Sequence, residues 1–336
     1  MRVLHGMTEV AGQNYYSVKG LREIGVYARS AVWRKHPFGY PVNYNIGIGD
    51  KKLLYPWYLI KMICFFVYAL FSFDCFHFHF TRSLLPFNYD LYFLKIFRKK
   101  VFFEFHGSEV RGVLRNITYP YYETYKASNL QRRLLKRISK YADGFILHDI
   151  ELVSHLPDCE VPIHIVPLRV DIEQYKPIYP AKEKEVPIIL HAPSSRSTKG
   201  TGYLIEALEK VNAPFEFVLV EGMSQVAAFE QYGRADIVFD QISVGTYGVF
   251  AIEAMALGKP VLVYVSEMMK DSFPDSLPVV NVKPDDLVEI IEALLLDGEK
   301  RHELGVRGRK YVEEYHDYRK NAKLLKDIYE GKQRCA

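Results

Sequence analysis

Residues 236–261 of this 336-residue chain, DIVFDQISVGTYGVFAIEAMALGKPV, decide the fold class. They open with an apolar run at 237–239, which has the length and residue types of a buried strand. A loop containing Gly245 and Gly248 follows, and a helix-like segment then leads to a second apolar run that begins at Pro260. A strand, a helix and a strand in this order predict a βαβ unit, in which the two strands lie parallel in one sheet.

The same alternation runs through both halves of the chain. In the first half we predict strands near 2–7, 73–79, 101–105, 144–147 and 163–166, and helices near 15–29, 53–72, 88–99, 120–140 and 149–156. In the second half we predict strands near 187–191, 215–220, 236–239 and 260–265, and helices near 202–211, 224–232 and 248–257. Two such halves indicate an α/β protein made of two Rossmann-like, doubly wound domains facing across a cleft.

Three segments follow from this pattern. We place the first domain at 1–168, the second at 169–315, and a helix at 316–336 that packs back across the domains. Since ligands bind at the carboxyl ends of strands in such sheets, the loops after the strands are the candidate sites.

The charge distribution is uneven. The net charge is +4, but residues 1–168 carry +9 and residues 169–336 carry −5. Of the 48 aromatic side chains, 32 lie in the first half. A basic, aromatic half is typical of a domain that faces an anionic membrane surface or a phosphate-bearing acceptor. The plainer alternative is a solvated basic face over an aromatic-rich core.

Two further segments bear on membranes and nucleic acid. The apolar stretch 57–73 contains Lys61, and we interpret it as a buried or membrane-facing helix rather than a span. Residues 131–141 place five cations on a helix with an apolar stripe, which suits either an interfacial helix or an ordinary packed surface helix. The acidic second half and the absence of a recognised motif argue against nucleic acid.

Metal and redox chemistry have little support in the sequence. The four cysteines lack metal-ligand spacing and suggest a reducing compartment, so we expect a cytoplasmic protein. Its basic half adds a peripheral position on the inner membrane face as an alternative expectation. His77 and His79 alternate on one strand, but a third ligand at defined spacing is missing. We therefore interpret them as hydrogen-bonded strand histidines and expect no metal.

The loop after the 236–239 strand has the features of an anion site. Thr246, Tyr247 and Gly248 stand where the free backbone N–H groups of a helix start would point. Glu253 lies one and a half turns further along an otherwise apolar helix, where a carboxylate needs partners. A ribose diol could supply two hydroxyl donors, and an internal salt bridge is the alternative.

A second loop, HAPSSRSTKG at 191–200, lies between a strand and a helix. It carries Arg196 and Lys199. Two cations beside a helix start can hold a diphosphate without a metal ion. An ordinary loop with two solvated charges is the alternative.

Both loops, taken with the hinge PLRVDIEQYKP at 167–177, resemble the C-terminal domain of family-4 glycosyltransferases. In the first half, FEFHGSEVR at 103–111 looks like that family's strand ending in His-Gly, and Gly12 and Gln13 stand in the place of its glycine-rich first loop. The resemblance implies the GT-B fold, a nucleotide diphosphate sugar as donor, and retention of anomeric configuration.

The resemblance also implies residue roles. Lys199 would hold the donor diphosphate, Glu253 the ribose, and His106 would lie near the reacting sugar, so these three are the candidate catalytic residues. The donor-binding set comprises Gly12, Gln13, Arg196, Lys199, Thr246, Tyr247, Gly248 and Glu253. The family's usual arginine would fall on Ser194, two positions before Arg196.

One departure from the family pattern concerns the donor sugar. The family often has two glutamates eight positions apart, and the first would fall on Gly245, which has no carboxylate. Asp240 and Gln241 lie close by in the sequence and could take over the sugar contact.

The sequence thus predicts a retaining, metal-independent glycosyltransferase of hexosyltransferase type, without a cofactor, that uses a UDP- or GDP-sugar. The expected acceptor is a glycan or lipid-linked hydroxyl compound in cell-surface polysaccharide, glycan or glycolipid synthesis. A nucleotide-sugar epimerase and a non-catalytic nucleotide- or sugar-binding subunit are the alternatives.

Overall fold

The computed structural model describes residues 1–113, 120–121, 128–223, 225–274 and 276–332. Contacts divide these residues into two compact units. The first unit contains residues 1–113, 128–170 and 318–332, and the second contains residues 120–121 and the described part of 171–317. The observed boundary at 170/171 lies two residues beyond the expected one at 168/169.

The first unit alternates strands and helices. Its elements in chain order are β1 (Arg2–Gly6), α1 (Gln13–Glu23), β2 (Tyr27–Val32), β3 (Tyr44–Asn45), α2 (Tyr55–Ser72), β4 (Cys75–His79), α3 (Asp90–Ile96), β5 (Lys100–Glu104), α4 (Asn129–Tyr141), β6 (Gly144–Leu147) and β7 (Ile163–Ile165). The seven strands found in its described residues form a parallel sheet in the order β3-β2-β1-β4-β5-β6-β7.

The second unit repeats the pattern on a smaller sheet. Its elements are β8 (Ile188–His191), α5 (Arg196–Lys199), α6 (Thr201–Leu208), β9 (Glu216–Leu219), α7 (Gln225–Arg234), β10 (Ile237–Gln241), α8 (Val249–Ala256), β11 (Val261–Val263), α9 (Glu267–Lys270), β12 (Val280–Asn281), α10 (Leu287–Leu296) and α11 (Gly298–Tyr315). The last helix of the chain, α12 (Tyr318–Glu330), belongs to the first unit. Five parallel strands follow the order β12-β11-β10-β8-β9 among the described residues.

Apolar side chains cover the sheet of the first unit on both faces. Helices α2, α3 and α4 supply one core cluster, and α1 and α12 supply the other. Leu135 and Ile138 of α4 are fully buried in the first cluster. The apolar stripe of 131–141 is therefore used for packing, as the alternative of an ordinary packed surface helix predicts, and contact of its cations with a membrane stays a prediction.

The sequence prediction missed β2, because it extended the first helix to residue 29. In the structure α1 ends at Glu23, and Gly25 adopts the left-handed conformation with φ +80°. The Gly25 N–H donates to the carbonyl of Arg22, and the Val26 N–H donates to the carbonyl of Leu21. These bonds end the helix and redirect the chain into the strand.

The C-terminal segment forms two helices with different partners. Helix α11 packs on α8 in the second unit, whereas α12 packs closely on α1 in the first. At Gly20 of α1 a Cβ atom would lie 2.7 Å from Cβ of Ala322, so only glycine permits this approach. The chain therefore returns to the first unit at Tyr318.

Candidate functional site

The second unit brings three predicted residues together where β10 meets α8. Asp240, with a fully buried side chain near the end of β10, accepts from Lys199 Nζ at 2.7 Å and from the Gly248 N–H at 3.0 Å. Gly248 is the N-cap of α8. One carboxylate thus joins the lysine to a backbone amide at a helix start, which is the environment that also suits a phosphate oxygen.

Glu253 lies on the same helix, α8. Its carboxyl group accepts a hydrogen bond from the Tyr175 hydroxyl at 2.9 Å. Burial raises its pKa from 4.5 to about 7, and the Tyr175 hydrogen bond offsets only part of this rise. Near neutral pH, the carboxyl group of Glu253 is therefore protonated in part of the molecules and ionised in the rest.

Other predicted residues of this loop hold its shape. The Gln241 side-chain N–H donates to the carbonyl of Thr246, and both residues are buried. The Tyr247 hydroxyl lies 3.0 Å from the Tyr311 hydroxyl and 3.1 Å from Nε2 of His316, so its ring links the loop to the end of α11. These side chains fix the loop backbone, and their predicted contacts with a donor stay predictions.

Arg196 has a different surrounding from Lys199. It begins α5 and forms a two-pronged ion pair with Glu221, which follows β9. The pair is largely exposed, and water weakens such pairs. A donor phosphate could recruit Arg196 only in competition with Glu221.

We expect Gly248→Ala to fold normally and to bind nucleoside diphosphates about tenfold more weakly. Gly248 has φ −108° and ψ −174°, which alanine also adopts, and the added Cβ would lie 3.5 Å from Lys199 Nζ. This methyl group would fill the space that an oxygen needs to reach both the lysine and the amide. Thermal unfolding and calorimetric titration of the variant check the two halves of this prediction; unchanged affinity would contradict it.

Gly245 stands where the resemblance to family-4 glycosyltransferases places a glutamate, and the local backbone requires glycine there. Gly245 has φ +76°, and a Cβ there would lie 2.8 Å from Cβ of Ser266. The conformation and the contact both require glycine, so a carboxylate cannot be accommodated on this backbone.

We expect Gly245→Ala to lower the free energy of unfolding by about 2–4 kcal/mol. Gly222→Ala is the matched control, because Gly222 also has a left-handed φ of +65° but has open space where a Cβ would be. The control should cost about 1 kcal/mol, from backbone strain alone. Equal losses in urea unfolding would show that the Ser266 contact is unimportant.

In the first unit, His106 follows β5 and belongs to a chain of histidines. His106 Nε2 lies 3.1 Å from His79 Nδ1, and His79 Nε2 lies 3.4 Å from His5 Nδ1. His5 Nε2 lies 3.1 Å from the Tyr329 hydroxyl, which also contacts Nδ1 of His77. The chain runs from α12 through β1 and β4 to the candidate catalytic histidine.

A buried ion pair sets the donor-to-acceptor direction of the hydrogen bonds in this histidine chain. His77 Nε2 lies 3.1 Å from Oε2 of Glu104, whose other oxygen pairs with Arg169. Burial alone would raise the pKa of Glu104, but the charge of Arg169 and the nearby histidines hold it well below 4.5, so it is a carboxylate that only accepts. The 3.1 Å approach is an electrostatic contact, since neither atom has the geometry of a hydrogen bond, and we assign the proton to His77 Nε2 because the carboxylate can only accept.

Each neutral imidazole donates once and accepts once, so the remaining protons follow. Tyr329 donates to His77, His5 Nε2 donates to Tyr329, His79 Nε2 donates to His5, and His106 Nε2 donates to His79. This leaves Nδ1 of His106 without a proton, as an acceptor for a ligand hydroxyl.

We expect ¹⁵N spectra to show His106 as the Nε2–H tautomer, unchanged from pH 5 to 8. Burial lowers its pKa to about 3, so it should stay neutral over this range. Tyr329→Phe should change the tautomer of His106, because it removes the hydroxyl that accepts from His5 and donates to His77. A titration of His106 near pH 6.5 would contradict the assignment.

The same histidines satisfy a simple distance test for metal ligation. The ligand atoms of His5, His77 and His79, and those of His79, Glu104 and His106, lie within 4.8 Å of one another in each group. The hydrogen-bond chain uses these same nitrogen atoms, and the Arg169 cation already pairs with Glu104. We therefore interpret the cluster as hydrogen-bonded histidines.

Gly12 and Gln13 begin α1 and serve its geometry. Gly12 has φ +82°, and a Cβ there would overlap the ring of Tyr16. The fully buried Gln13 side chain accepts from the Arg169 N–H at 2.8 Å and donates to the Arg169 carbonyl at 3.0 Å. A contact between this amide and a sugar-nucleotide donor would have to compete with both hydrogen bonds to Arg169. The structure therefore favours a structural role for Gln13.

A pocket of about 1100 Å³ in the first unit was not foreseen. It lies at the carboxyl ends of strands, since Met7 follows β1, Trp33 follows β2 and Phe80 follows β4. Glu9 and Glu109 also line it, and burial raises the pKa of each to about 7 despite backbone hydrogen bonds. The sequence analysis gave neither glutamate a role, although Glu109 lies in the 103–111 stretch, because their titration depends on burial that only the tertiary structure supplies.

Comparison with known proteins supports the same architecture. Sucrose-phosphate synthase from Thermosynechococcus elongatus superposes with a TM-score of 0.72 at 16% identity, over 98% of both chains. HepE from Anabaena, solved with UDP and glucose, gives 0.70 at 13% identity over 98% of this chain and 100% of that one. The chain has the GT-B fold.

A third structure, the lipopolysaccharide outer core galactosyltransferase WaaB, superposes with a TM-score of 0.65 at 13% identity, over 99% of this chain and 100% of that one. Residues 216–311 match the family model described as glycosyl transferases group 1. No curated protein sequence matches the chain. The group 1 match contains β10, α8, Asp240 and Glu253, and with the GT-B fold it supports a glycosyltransferase.

Proposed function

We propose that this protein is a retaining, metal-independent glycosyltransferase that moves a hexosyl group from a nucleoside diphosphate donor to a hydroxyl acceptor. The observation that carries the proposal is the cluster of Lys199, Asp240 and Gly248 at the start of α8. Asp240 and Gly248 lie inside residues 216–311, which match the glycosyl transferases group 1 model. HepE was solved with UDP-glucose, which makes a UDP-sugar the first donor to test.

The cluster suits a departing nucleoside diphosphate. Negative charge grows on the diphosphate as the glycosidic bond breaks, and preorganised donors stabilise that charge. Lys199 Nζ and the Gly248 N–H both point at one carboxylate, Asp240, so a phosphate oxygen that replaced it would meet both donors. In this proposal Asp240 holds the lysine ready until the donor arrives.

Glu253 supplies the second donor contact in the proposal. Its carboxylate would accept from the ribose hydroxyls, as the resemblance to family-4 enzymes implies. Its pKa of about 7 makes this contact depend on pH, because only the ionised form offers two acceptors.

The acceptor side of the proposal rests on the first unit. The pocket there combines aromatic side chains with Arg34, Lys35 and Arg82. Such a lining suits a sugar ring with a phosphate nearby, as in a lipid-linked glycan of cell-surface polysaccharide or glycolipid synthesis. His106, with Nδ1 as an acceptor, is proposed to orient a hydroxyl of the sugar or the acceptor.

Calorimetric titration with UDP, GDP and ADP, with and without EDTA, tests the donor site. We expect one nucleotide to bind and EDTA to leave its affinity unchanged. If none binds, the donor assignment fails and the non-catalytic alternative is favoured. Turnover of the matching sugar nucleotide, followed by NMR of the product anomer, then tests transfer and retention.

Glu9 and Glu109 favour a second candidate, a nucleotide-sugar epimerase, because that reaction needs acid and base groups with a pKa near neutrality. The two functions differ without an acceptor present. An epimerase would convert its sugar nucleotide into a new epimer, whereas a transferase would leave it intact or release the nucleoside diphosphate slowly.

A further inference from the structure

Helix α2 exposes an apolar face that the described residues of its own unit do not cover. Phe65, Phe66, Ala69 and Leu70 pack into the core. On the opposite face, Ile60, Ile63, Val67 and Phe71 recur at helical spacing, and each is more than 40% exposed. Single exposed apolar residues are ordinary, but a continuous stripe of them calls for a partner.

The stripe continues onto α3. The rings of Phe71 and Phe97 lie 6.0 Å apart, and Phe66 contacts Phe93 at 6.1 Å. Phe93, Ile96 and Phe97 are all about half exposed. The apolar surface of α2 and α3 therefore extends over two helices, and we call it the α2–α3 surface.

Lysine and arginine residues outnumber carboxylates around this surface, where Asp74 follows α2 and Asp143 pairs with Lys95 of α3 at 2.8 Å. The segments 51–72, 87–100 and 129–141, which hold α2, α3 and α4, carry 12 lysine and arginine residues and a single acidic residue, Asp90. Asp90 is fully buried and is bonded to Ser83. Lys61 lies over the ring of Trp57 and Arg137 lies over the ring of Tyr89, so cations stand directly beside exposed aromatic rings.

We propose that the α2–α3 surface docks on an anionic lipid bilayer, with α2 lying in the interfacial plane. Apolar side chains would enter the acyl boundary while the surrounding lysines and arginines meet anionic headgroups. This charge pattern favours a bilayer over a second copy of the chain, since two copies would bring cationic rims together.

The helix is long and apolar enough to cross a membrane by length and composition alone. Its packing argues for the interfacial arrangement instead. A span would expose all sides of α2 to lipid, but Phe65, Phe66, Ala69 and Leu70 are part of the core that covers the sheet. Only one face is free, as for a helix that lies on a membrane.

The pocket of the first unit adjoins this surface. Phe87, which is half exposed beside the Arg137 contact, also lines the pocket, and so do Met62 of α2 and Leu130 of α4. An acceptor carried by a lipid could reach the pocket from a docked bilayer. This last consequence rests on the proposed transferase function, whereas the docking itself does not.

Trp57 is a built-in reporter, because it is half exposed on α2 and the only other tryptophan is Trp33. In the full-length Trp33→Phe protein, we expect the fluorescence to shift to the blue with vesicles that contain phosphatidylglycerol, and much less with phosphatidylcholine alone. The protein should float with the anionic vesicles at low salt. Absence of both signals would overturn the proposal.

Two variants locate the docking surface. Ile63→Ser/Val67→Ser/Phe71→Ser should lower vesicle binding about tenfold or more, since it removes the apolar stripe. Arg133→Glu/Lys136→Glu should weaken binding only to the anionic vesicles. The matched control, Ile178→Ser/Val186→Ser/Leu296→Ser, changes three comparably exposed apolar residues of the second unit and should bind as before.

Thermal unfolding of each variant verifies folding, and nucleotide titration without lipid separates this proposal from the donor site. Two other results would overturn the docking proposal. One is a dimer in sedimentation that the triple α2 variant abolishes without lipid, which would show that a second copy covers the surface. The other is vesicle association that survives alkaline carbonate, which would show that α2 spans the bilayer.

Discussion

Lys199→Ala should bind its nucleoside diphosphate at least about tenfold more weakly than the unchanged protein, a loss of about 1.4 kcal/mol or more. The lysine contributes a full charge beside the α8 start, and a phosphate has few substitutes for that charge. Calorimetry with the nucleotide found for the unchanged protein measures the effect directly.

The same change also leaves a buried carboxylate without its cation, so stability must be separated from binding. Lys184→Ala is the matched control. Lys184 pairs with Asp236, which lies at the other end of β10 from Asp240, so both variants strip a lysine from a buried aspartate. We expect both to lower the unfolding temperature and only Lys199→Ala to lower affinity.

The double variant Lys199→Ala/Asp240→Asn removes both charges of the pair. It should recover stability, because no unpaired carboxylate remains buried. It should not recover affinity, because the lysine is still absent. Recovery of nucleotide binding in this variant would show that the lysine acts only by neutralising Asp240.

Glu253→Gln should weaken nucleotide binding at pH 8 by about tenfold and remove its pH dependence. In the unchanged protein the pKa of Glu253 is about 7, so affinity should fall as the pH drops from 8 to 6 and the carboxylate gains a proton. The glutamine variant also corrects for titration of the nucleotide itself. A parallel pH profile in both proteins would exclude Glu253 from the site.

The same substitution should stabilise the empty protein at high pH. The pKa of Glu253 is about 4.5 in the unfolded state and about 7 in the folded state. Between pH 4.5 and pH 7, Glu253 is therefore protonated in the folded state and ionised in the unfolded state. Stability from this group is present below pH 4.5 and is lost as the pH rises through 7. Glu253→Gln should therefore raise the free energy of unfolding by about 1–2 kcal/mol at pH 8, and by little near pH 4.5.

Taken together, the two effects of Glu253→Gln would identify a site residue that is kept at a cost in stability. If a buried group only supported the fold, its replacement would lower the stability of the protein. Urea unfolding at pH 8 and pH 4.5, with calorimetry at pH 8 and pH 6, completes the comparison.

The sequence predicted the strand–loop–helix pattern because apolar residues recur differently along buried parallel strands and amphipathic helices. It located β8, β10, α8 and β11 to within a few residues. It failed at β2, where a glycine in the left-handed conformation ended α1 earlier than the apolar pattern did, and it passed over α10 altogether. Local pattern thus determined the element types better than their ends.

The sequence by itself determined the alternating α/β order, the two sheets and the residues around the α8 start, because these depend on neighbours along the chain. Tertiary structure alone decided that Asp240 joins Lys199 to Gly248, that four histidines and Tyr329 form one chain, and that one face of α2 stays uncovered. These features join residues as far apart as His5 and Tyr329. Spacing along the chain carries no record of such contacts, since they arise only when strands and helices pack.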